Sequence, residues 1–359
     1  MREPNLWARR WDVIVVVMVL LLLPGRLGWS QSSLERLEFS FANPGARSMG
    51  FGGAFVALAD DPTGAFANPG GLVQLLRPEA FIDVRLGFES HDDSTEPLFG
   101  DDSTEVTNLT FASFVLPVRR CSLAAYGHQI VKTDLESFNQ TTEDETLRDL
   151  DITRYAVAGA CQLLEQLSFG IGVSYFDAGY RVMDRAEASG DWGLNGGLLW
   201  KPVDRLSLGA FYRQGPELDL QNSSRDRLAL PDAYGLGVAV RSSNGRFTLS
   251  AEWDRVVWSQ MFEGLSSTMA DEAPMLRDVD ELHLGVEYAW NTTSKVLALR
   301  FGAWRDPDKV ADRADGDDDR TRIHGAAGFG IAWQRFQLDV ATDFARDVVT
   351  LGVSGMFIF

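Results

Sequence analysis

From residue 79 to its last residue the sequence alternates with period two, in one short segment after another. Over residues 349–359 the odd positions read Val, Leu, Val, Gly, Phe, Phe and the even ones Thr, Gly, Ser, Met, Ile. Leu167, Phe169, Ile171, Val173 and Tyr175 alternate with Ser168, Gly170, Gly172 and Ser174. Phe247, Leu249, Ala251 and Trp253 alternate with Thr248, Ser250, Glu252 and Asp254. Successive side chains of a strand point to opposite faces, so each segment reads as a strand with one oily and one small or polar face. Such a pattern cannot sit as a helix.

Alternation alone suits a soluble sandwich as well as a barrel. Three further features favour a transmembrane barrel. Short turns near residues 117–119, 163–164, 202–203, 243–244, 292–293 and 334–335 alternate with long polar loops near 91–102, 133–148, 181–189, 215–231, 258–279 and 306–321. That is the short-turn, long-loop rhythm of outer-membrane barrels. Charged strand residues fall opposite the oily face: Arg300 lies between Leu299 and Phe301, and Arg213 follows Tyr212, so both would face a lumen. The chain also ends on Phe357-Ile358-Phe359, and a terminal Phe is a recognition mark for the barrel assembly machinery. No stretch after the first thirty residues is long and apolar enough for a membrane-spanning helix, which leaves a closed barrel as the spanning structure.

The pattern predicts about fourteen strands, an even number as a bacterial barrel requires. They are expected over 79–90, 103–116, 120–132, 149–161, 165–180, 190–201, 204–214, 232–241, 245–257, 280–291, 295–305, 322–333, 335–344 and 348–358. Trp192, Trp200, Tyr212, Trp253, Trp258, Tyr288, Trp290, Trp304 and Trp333 cluster near strand ends, as interfacial girdles do, although ordinary core aromatics would read the same way.

The chain before the strands is different. Arg2, Arg9 and Arg10 precede an apolar run from Val13 to Leu23, then Pro24-Gly25 and the small residues of Gly28-Trp29-Ser30. This reads as a secretory signal peptide over residues 1–30, because the run is too short to span a bilayer. Residues 43–78 are dense in Gly and Pro and do not alternate. Asp60 or Asp61 is placed to cap a turn at Pro62, and Asn68 to cap one at Pro69. Such a compact, side-chain-poor piece suits a plug, since a barrel of this width would leak if left open. The expected organisation is therefore an N-terminal helical or irregular hatch over 31–78 inside an all-β, antiparallel barrel over 79–359.

Here the residues carry a resemblance. The run from Ala46 to Pro62, followed by Asn68-Pro69-Gly70-Gly71-Leu72, resembles the N-terminal hatch of the FadL-type outer-membrane transporters. The family's usual Asn-Pro-Ala-Gly-Leu has Gly70 in place of its Ala here. Leu230-Pro231-Asp232-Ala233-Tyr234-Gly235-Leu236-Gly237, the Glu252-Trp253 to Trp258-Ser259 strand, and the Leu284–Tyr288 and Leu299–Ala303 hairpin resemble later family segments in the same order. The resemblance implies a fourteen-stranded barrel that passes long-chain fatty acids or aromatic hydrocarbons by passive diffusion past a hatch. Its partners would be a hydrophobic small molecule or lipid and outer-membrane lipids. The alternative it leaves open is a PorV/PorQ-like component of protein secretion or surface attachment. Paired apolar loop helices are not evident; residues 258–279, with Met261, Phe262, Leu265, Met269 and Met275, come nearest.

Candidate ligand-pocket or gate residues are Phe51, Phe55, Phe66 and Leu72, which could equally be plug-to-wall packing; Asn68, Pro69 and Gly70 should hold the hatch turn. If strands three and four form a hairpin, Cys121 and Cys161 lie equidistant from its loop centre and should pair as a disulfide in an oxidising compartment. Asp312, Asp315, Asp317 and Asp319 read either as a solvated loop or as calcium ligands, without EF-hand spacing. The four histidines show no metal-ligand spacing, no nucleophile motif or phosphate loop stands out, and no cofactor is expected. A formal net charge of -18 argues against nucleic acid.

Overall fold

The computed structural model describes residues 42–90, 103–134, 147–182, 185–220, 226–264, 275–311, 321–346 and 348–359. The segment read as a signal peptide lies outside the described residues, as do Asp312, Asp315, Asp317 and Asp319. The strands are β1 (Glu79–Ser90), β2 (Ser103–Val118), β3 (Cys121–Asp134), β4 (Leu147–Leu164), β5 (Leu167–Val182), β6 (Arg185–Val203), β7 (Leu206–Arg213) and β8 (Glu217–Leu220). They continue as β9 (Asp226–Ala229), β10 (Asp232–Arg241), β11 (Phe247–Val257), β12 (Val279–Asn291), β13 (Lys295–Asp306), β14 (Arg322–Trp333), β15 (Phe336–Phe344) and β16 (Val348–Ile358).

Fourteen of them close into one antiparallel barrel in sequence order, with β1 pairing both β2 and β16; β8 and β9 form a separate hairpin between β7 and β10. Closure leaves no unpaired edge, so every strand amide and carbonyl in the wall has a neighbour to bond. Outward positions are apolar, for example Leu194, Leu236, Leu249, Leu284 and Phe301, while inward positions hold Glu252, Arg300, Asp339 and Ser354. An oily outside around a polar inside is the reverse of a soluble protein and defines a transmembrane barrel. No helix among the described residues is long and apolar enough to cross a membrane.

Two loops depart from expectation, and the one at 215–231 carries the β8–β9 hairpin. The region read as a loop at 181–189 is mostly strand, because β5 runs to Val182 and β6 starts at Arg185. Cross-strand pairing continues through polar residues there, which single-segment alternation does not signal.

The aromatics form two belts. At the short-turn end, Phe247, Tyr288 and Trp290 follow one another, and Trp333, Phe336, Phe357, Phe359 and Phe114 make a second chain of ring contacts. At the long-loop end Tyr175 meets Trp192 and Tyr234 meets Trp253. Two of the expected girdle residues are elsewhere. Trp304 points into the bore between His283 and His324, and Trp258 is buried inside the mouth. Parity decides this for Trp304: it shares the inward face of β13 with Arg300.

Cys121 and Cys161 stand directly opposite in the β3–β4 register and are joined by a disulfide near the short-turn end.

Residues 42–78 fill the bore. They comprise α1 (Ala46–Gly50), α2 (Gly64–Ala67) and a 3-10 helix over Pro69–Gln74, joined by turns and leading directly into β1. Residues 54–59 form a single turn in which Leu58 and Ala59 donate to the Phe55 carbonyl. The wall makes room for this head with inward glycines. A Cβ at Gly170, Gly197, Gly209, Gly285 or Gly302 would strike the head itself. One close seat is Gly52 on Gly302: Gly52 has φ 63°, and a Cβ on it would stand 2.7 Å from the Ala303 amide nitrogen. Only glycine suits both the left-handed backbone and that approach.

Candidate functional site

The head is held by polar groups on the inward faces of the strands. On β11, Glu252 Oε2 accepts the backbone amides of Phe55 and Val56, each at 2.7 Å, and Oε1 accepts Asn43 Nδ2 at 3.2 Å. Asn43 also donates to the Gly53 carbonyl. On β12, His283 Nδ1 lies 2.7 Å from the Gly52 carbonyl and donates to it. On β13, Arg300 pairs with Glu287 at 2.7 Å and Asp339 at 2.6 Å, binding three strands through one guanidinium. Within the head, Arg47 pairs with Asp60 at 2.5 Å and Asp61 at 3.4 Å, and its Nε lies 3.8 Å from Glu287. Burial alone would push the Asp60 carboxyl up. The Arg47 guanidinium outweighs it and holds Asp60 well below the usual carboxylate range.

Asn68, Pro69 and Gly70 form the turn that docks on β5 and β6. Asn68 Oδ1 caps the 3-10 helix by accepting Gly70 N at 3.0 Å, and Nδ2 donates to the Val56 and Leu198 carbonyls. Ser168 Oγ donates to the Gly70 carbonyl at 2.7 Å. Pro69 occupies the first helical position. Asp61 accepts from the amide and hydroxyl of Thr63, which makes an Asx turn rather than a cap of α2.

The four apolar candidates divide. Phe51 and Phe55 are completely buried with Ala57, Leu58, Ala67 and Ala239, and Leu72 packs with Leu75, Phe81, Phe111 and Val115. These three pack plug against wall; burying each stabilises the seat by about 1.5–3 kcal/mol. Phe66 is buried in the same cluster as Leu72, and its ring also borders a small cavity. The Arg154 guanidinium lies over it at 5.3 Å and that of Arg213 at 4.3 Å. His128 meets the same ring edge-on at 4.7 Å.

That space is a chamber on the long-loop side of the head. Phe66, Ile130, Arg154, Phe176, Arg213 and Leu230 line it, and its free volume is ≈ 20 Å³. The β8–β9 hairpin and the residues after β11 fold over it. Leu218, Leu228, Leu230, Trp258 and Met261 form one apolar cluster with Val56 and Phe176. Residues 258–264 thus supply an apolar cap that includes a 3-10 turn at Trp258–Gln260; Leu265 and Met269 lie outside the described residues, and Met275 is exposed. A larger concavity of ≈ 710 Å³ lies on the outer face, lined by Leu164, Leu198, Trp200, Leu208 and Leu236. Its outward-facing leucines make it part of the lipid-facing surface.

Sequence reasoning singled out Glu252 as part of a motif and Arg213 and Arg300 as lumen-facing, but assigned none of them a role. It did not reach Arg154, His128 or His283. Their signal was parity: each lies on the inward face of its strand.

A P. aeruginosa FadL homologue superposes with a TM-score of 0.69, at 14% identity, over 90% of this chain and 100% of that chain. The FadL-type fold is the fold of this chain. The P. putida toluene transporter TodX matches with a TM-score of 0.60 at 14% identity, over 90% and 99% of the two chains. The Ralstonia pickettii toluene transporter TbuX matches at 0.58 and 16% identity, over 90% and 99%. No protein-family model and no curated protein matches the sequence.

Proposed function

We propose that this chain is an outer-membrane channel through which hydrophobic small molecules, long-chain fatty acids or aromatic hydrocarbons, enter by passive diffusion. The observation that carries the reading is the small cavity between the head and the apolar cap, with Phe66 under two guanidiniums. Similarly folded proteins that transport toluene support it. Residues 31–78 are the hatch in this reading, residues 1–30 direct export, and Phe359 addresses the chain to the assembly machinery.

The driving force is removal of apolar surface from water. An aromatic ring covers about 150–250 Å², which at about 25 cal/mol per Å² gives roughly 4–6 kcal/mol. That corresponds to dissociation constants between about a millimolar and tens of micromolar. A ligand held so weakly can also leave, which transit requires. The chamber's ≈ 20 Å³ admits no more than about one water, so passage needs the cap or the head to shift. Arg154 and Arg213 present positive charge to an aromatic face or to a carboxylate head group.

The test is accumulation of labelled toluene and labelled oleate by cells making the chain against cells making none. Faster entry of either supports the reading. Equal rates for both would overturn it.

A further inference from the structure

Beside the head, on the inward face of β11 and β12, Asp254, Glu281 and His283 bring one ligand atom each within 4.8 Å of one another. Asp254 and Glu281 are cross-strand partners in the register, and His283 follows two residues on, so all three share one patch of wall at the long-loop side of the head. We infer that this patch is a binding site for a divalent transition-metal ion, with Asp254, Glu281 and His283 as its three protein ligands.

Three observations carry the assignment. The first is the tautomer. His283 Nδ1 donates to the Gly52 carbonyl at 2.7 Å, so the ring's other nitrogen, Nε2, carries the lone pair in the neutral imidazole. The His283 side chain is more than nine-tenths buried, and Nε2 makes no hydrogen bond. It points at Glu281 Oε2, 3.5 Å away, and Asp254 Oδ2, 3.9 Å away. Two carboxylates facing that nitrogen call for positive charge there, supplied either by a proton on Nε2 or by a metal ion held between the three groups.

The second is spacing. Ligands about 2.0–2.1 Å from a tetrahedral zinc ion lie about 3.3–3.4 Å apart. The His283 distances of 3.5 and 3.9 Å are somewhat longer than this, and all three ligand atoms lie within 4.8 Å of one another, so an ion would have to draw the carboxylates in. The third is the surrounding shell. Metal-bound histidines usually donate their second ring N–H to a carbonyl or carboxylate, as His283 does to Gly52. Trp304 stacks on the ring at 5.4 Å, nearly parallel, and holds its plane.

Charge points the same way. Glu252, Asp254 and Glu281 are three carboxylates in this patch, and Arg213, which interacts with Asp254 and Glu252, supplies one guanidinium. The imidazole ligand selects a first-row transition metal over calcium or magnesium, which prefer oxygen donors alone. Glu281 is the most accessible of the three, its side chain one-fifth exposed, and gives the ion a way in. Because the same ring holds Gly52, a bound ion would tie the head to the wall.

The test uses the full chain in detergent after treatment with a chelator, with Co²⁺ as a visible probe and Zn²⁺ as competitor. One equivalent of Co²⁺ should give a d–d absorption band that Zn²⁺ abolishes. Glu281→Gln and His283→Gln should each weaken binding at least about tenfold. Glu281→Gln touches no head residue and should melt like the parent without metal, which separates lost binding from lost folding. Zn²⁺ should slow hydrogen exchange at the Gly52 and Gly53 amides in the parent and not in Glu281→Gln. Absence of a stoichiometric band, or binding unchanged in Glu281→Gln, overturns the site. Binding without slowed exchange overturns its link to the head.

Discussion

Glu252 holds Phe55 by the backbone: its Oε2 accepts the Phe55 amide at 2.7 Å from the inward face of β11. The same oxygen takes the Val56 amide, so one carboxylate serves two donors of a turn that has no regular helix to absorb them. Glu252→Ala leaves both amides buried without an acceptor. Each such group costs about 1–3 kcal/mol, so we expect the seat to weaken by about 2–6 kcal/mol while the barrel persists. Hydrogen exchange at residues 55 and 56 should accelerate by two orders of magnitude or more, and ion leak through reconstituted channels should rise. Unchanged exchange would show that the head does not depend on this carboxylate.

Gly302→Ala tests the close seat two strands along the wall, on β13. The new methyl would meet the backbone of Phe51 and Gly52, which cannot rotate away as a side chain can. Overpacking of this kind costs about 1–3 kcal/mol. We expect a lower melting temperature and faster proteolysis within residues 42–78, with strand content by circular dichroism unaltered. A variant as protease-resistant as the parent would mean that the seat is looser than described.

The Cys121–Cys161 bond closes a sequence separation of 40 residues. In the chain-entropy account such a crosslink stabilises by about 4 kcal/mol, an upper figure for strands already adjacent in the wall. Reduction should lower the thermal midpoint and leave the barrel closed, because the β3–β4 ladder continues well beyond the bond. Alkylation of both thiols in unreduced protein, read by mass spectrometry, would contradict the pairing.

The Arg47–Asp60 pair predicts an acid limit for the seated head. Asp60 is held below its ordinary value, so its contribution is complete above the unfolded carboxylate pKa of about 3.9 and is lost as pH falls through the folded value. Burial pushes the neighbouring Asp61 carboxyl up, and its linkage runs the other way. The comparison that isolates the pair is therefore Asp60→Asn against the parent. Pepsin should cut residues 42–78 in the parent more readily at pH 2 than at pH 4, and the variant should lose most of that pH dependence. Identical pH profiles would remove the pair from the account.

The order and number of the fourteen barrel strands and most of their boundaries, to within a few residues, were legible in the sequence, though the β8–β9 hairpin was not, because a wall between hydrocarbon and a polar bore imposes period two on every segment that crosses it. Val349 to Phe359 and Leu167 to Tyr175 carried that signal unaided. The cysteine pairing followed from the same arithmetic, since a hairpin's register depends only on where its loop is centred. Tertiary structure alone decided which inward groups meet. Glu252 and Phe55 are 197 residues apart, and so far apart in sequence that local propensity carries no trace of their contact. Alternation tells that Trp304 can face inward, but not that two histidines wait on either side of it. It tells that Phe51, Phe55, Phe66 and Leu72 are greasy, but not that Phe66 alone borders the chamber. Period and polarity are properties of one strand at a time, whereas a seat is made where a folded head meets many strands at once.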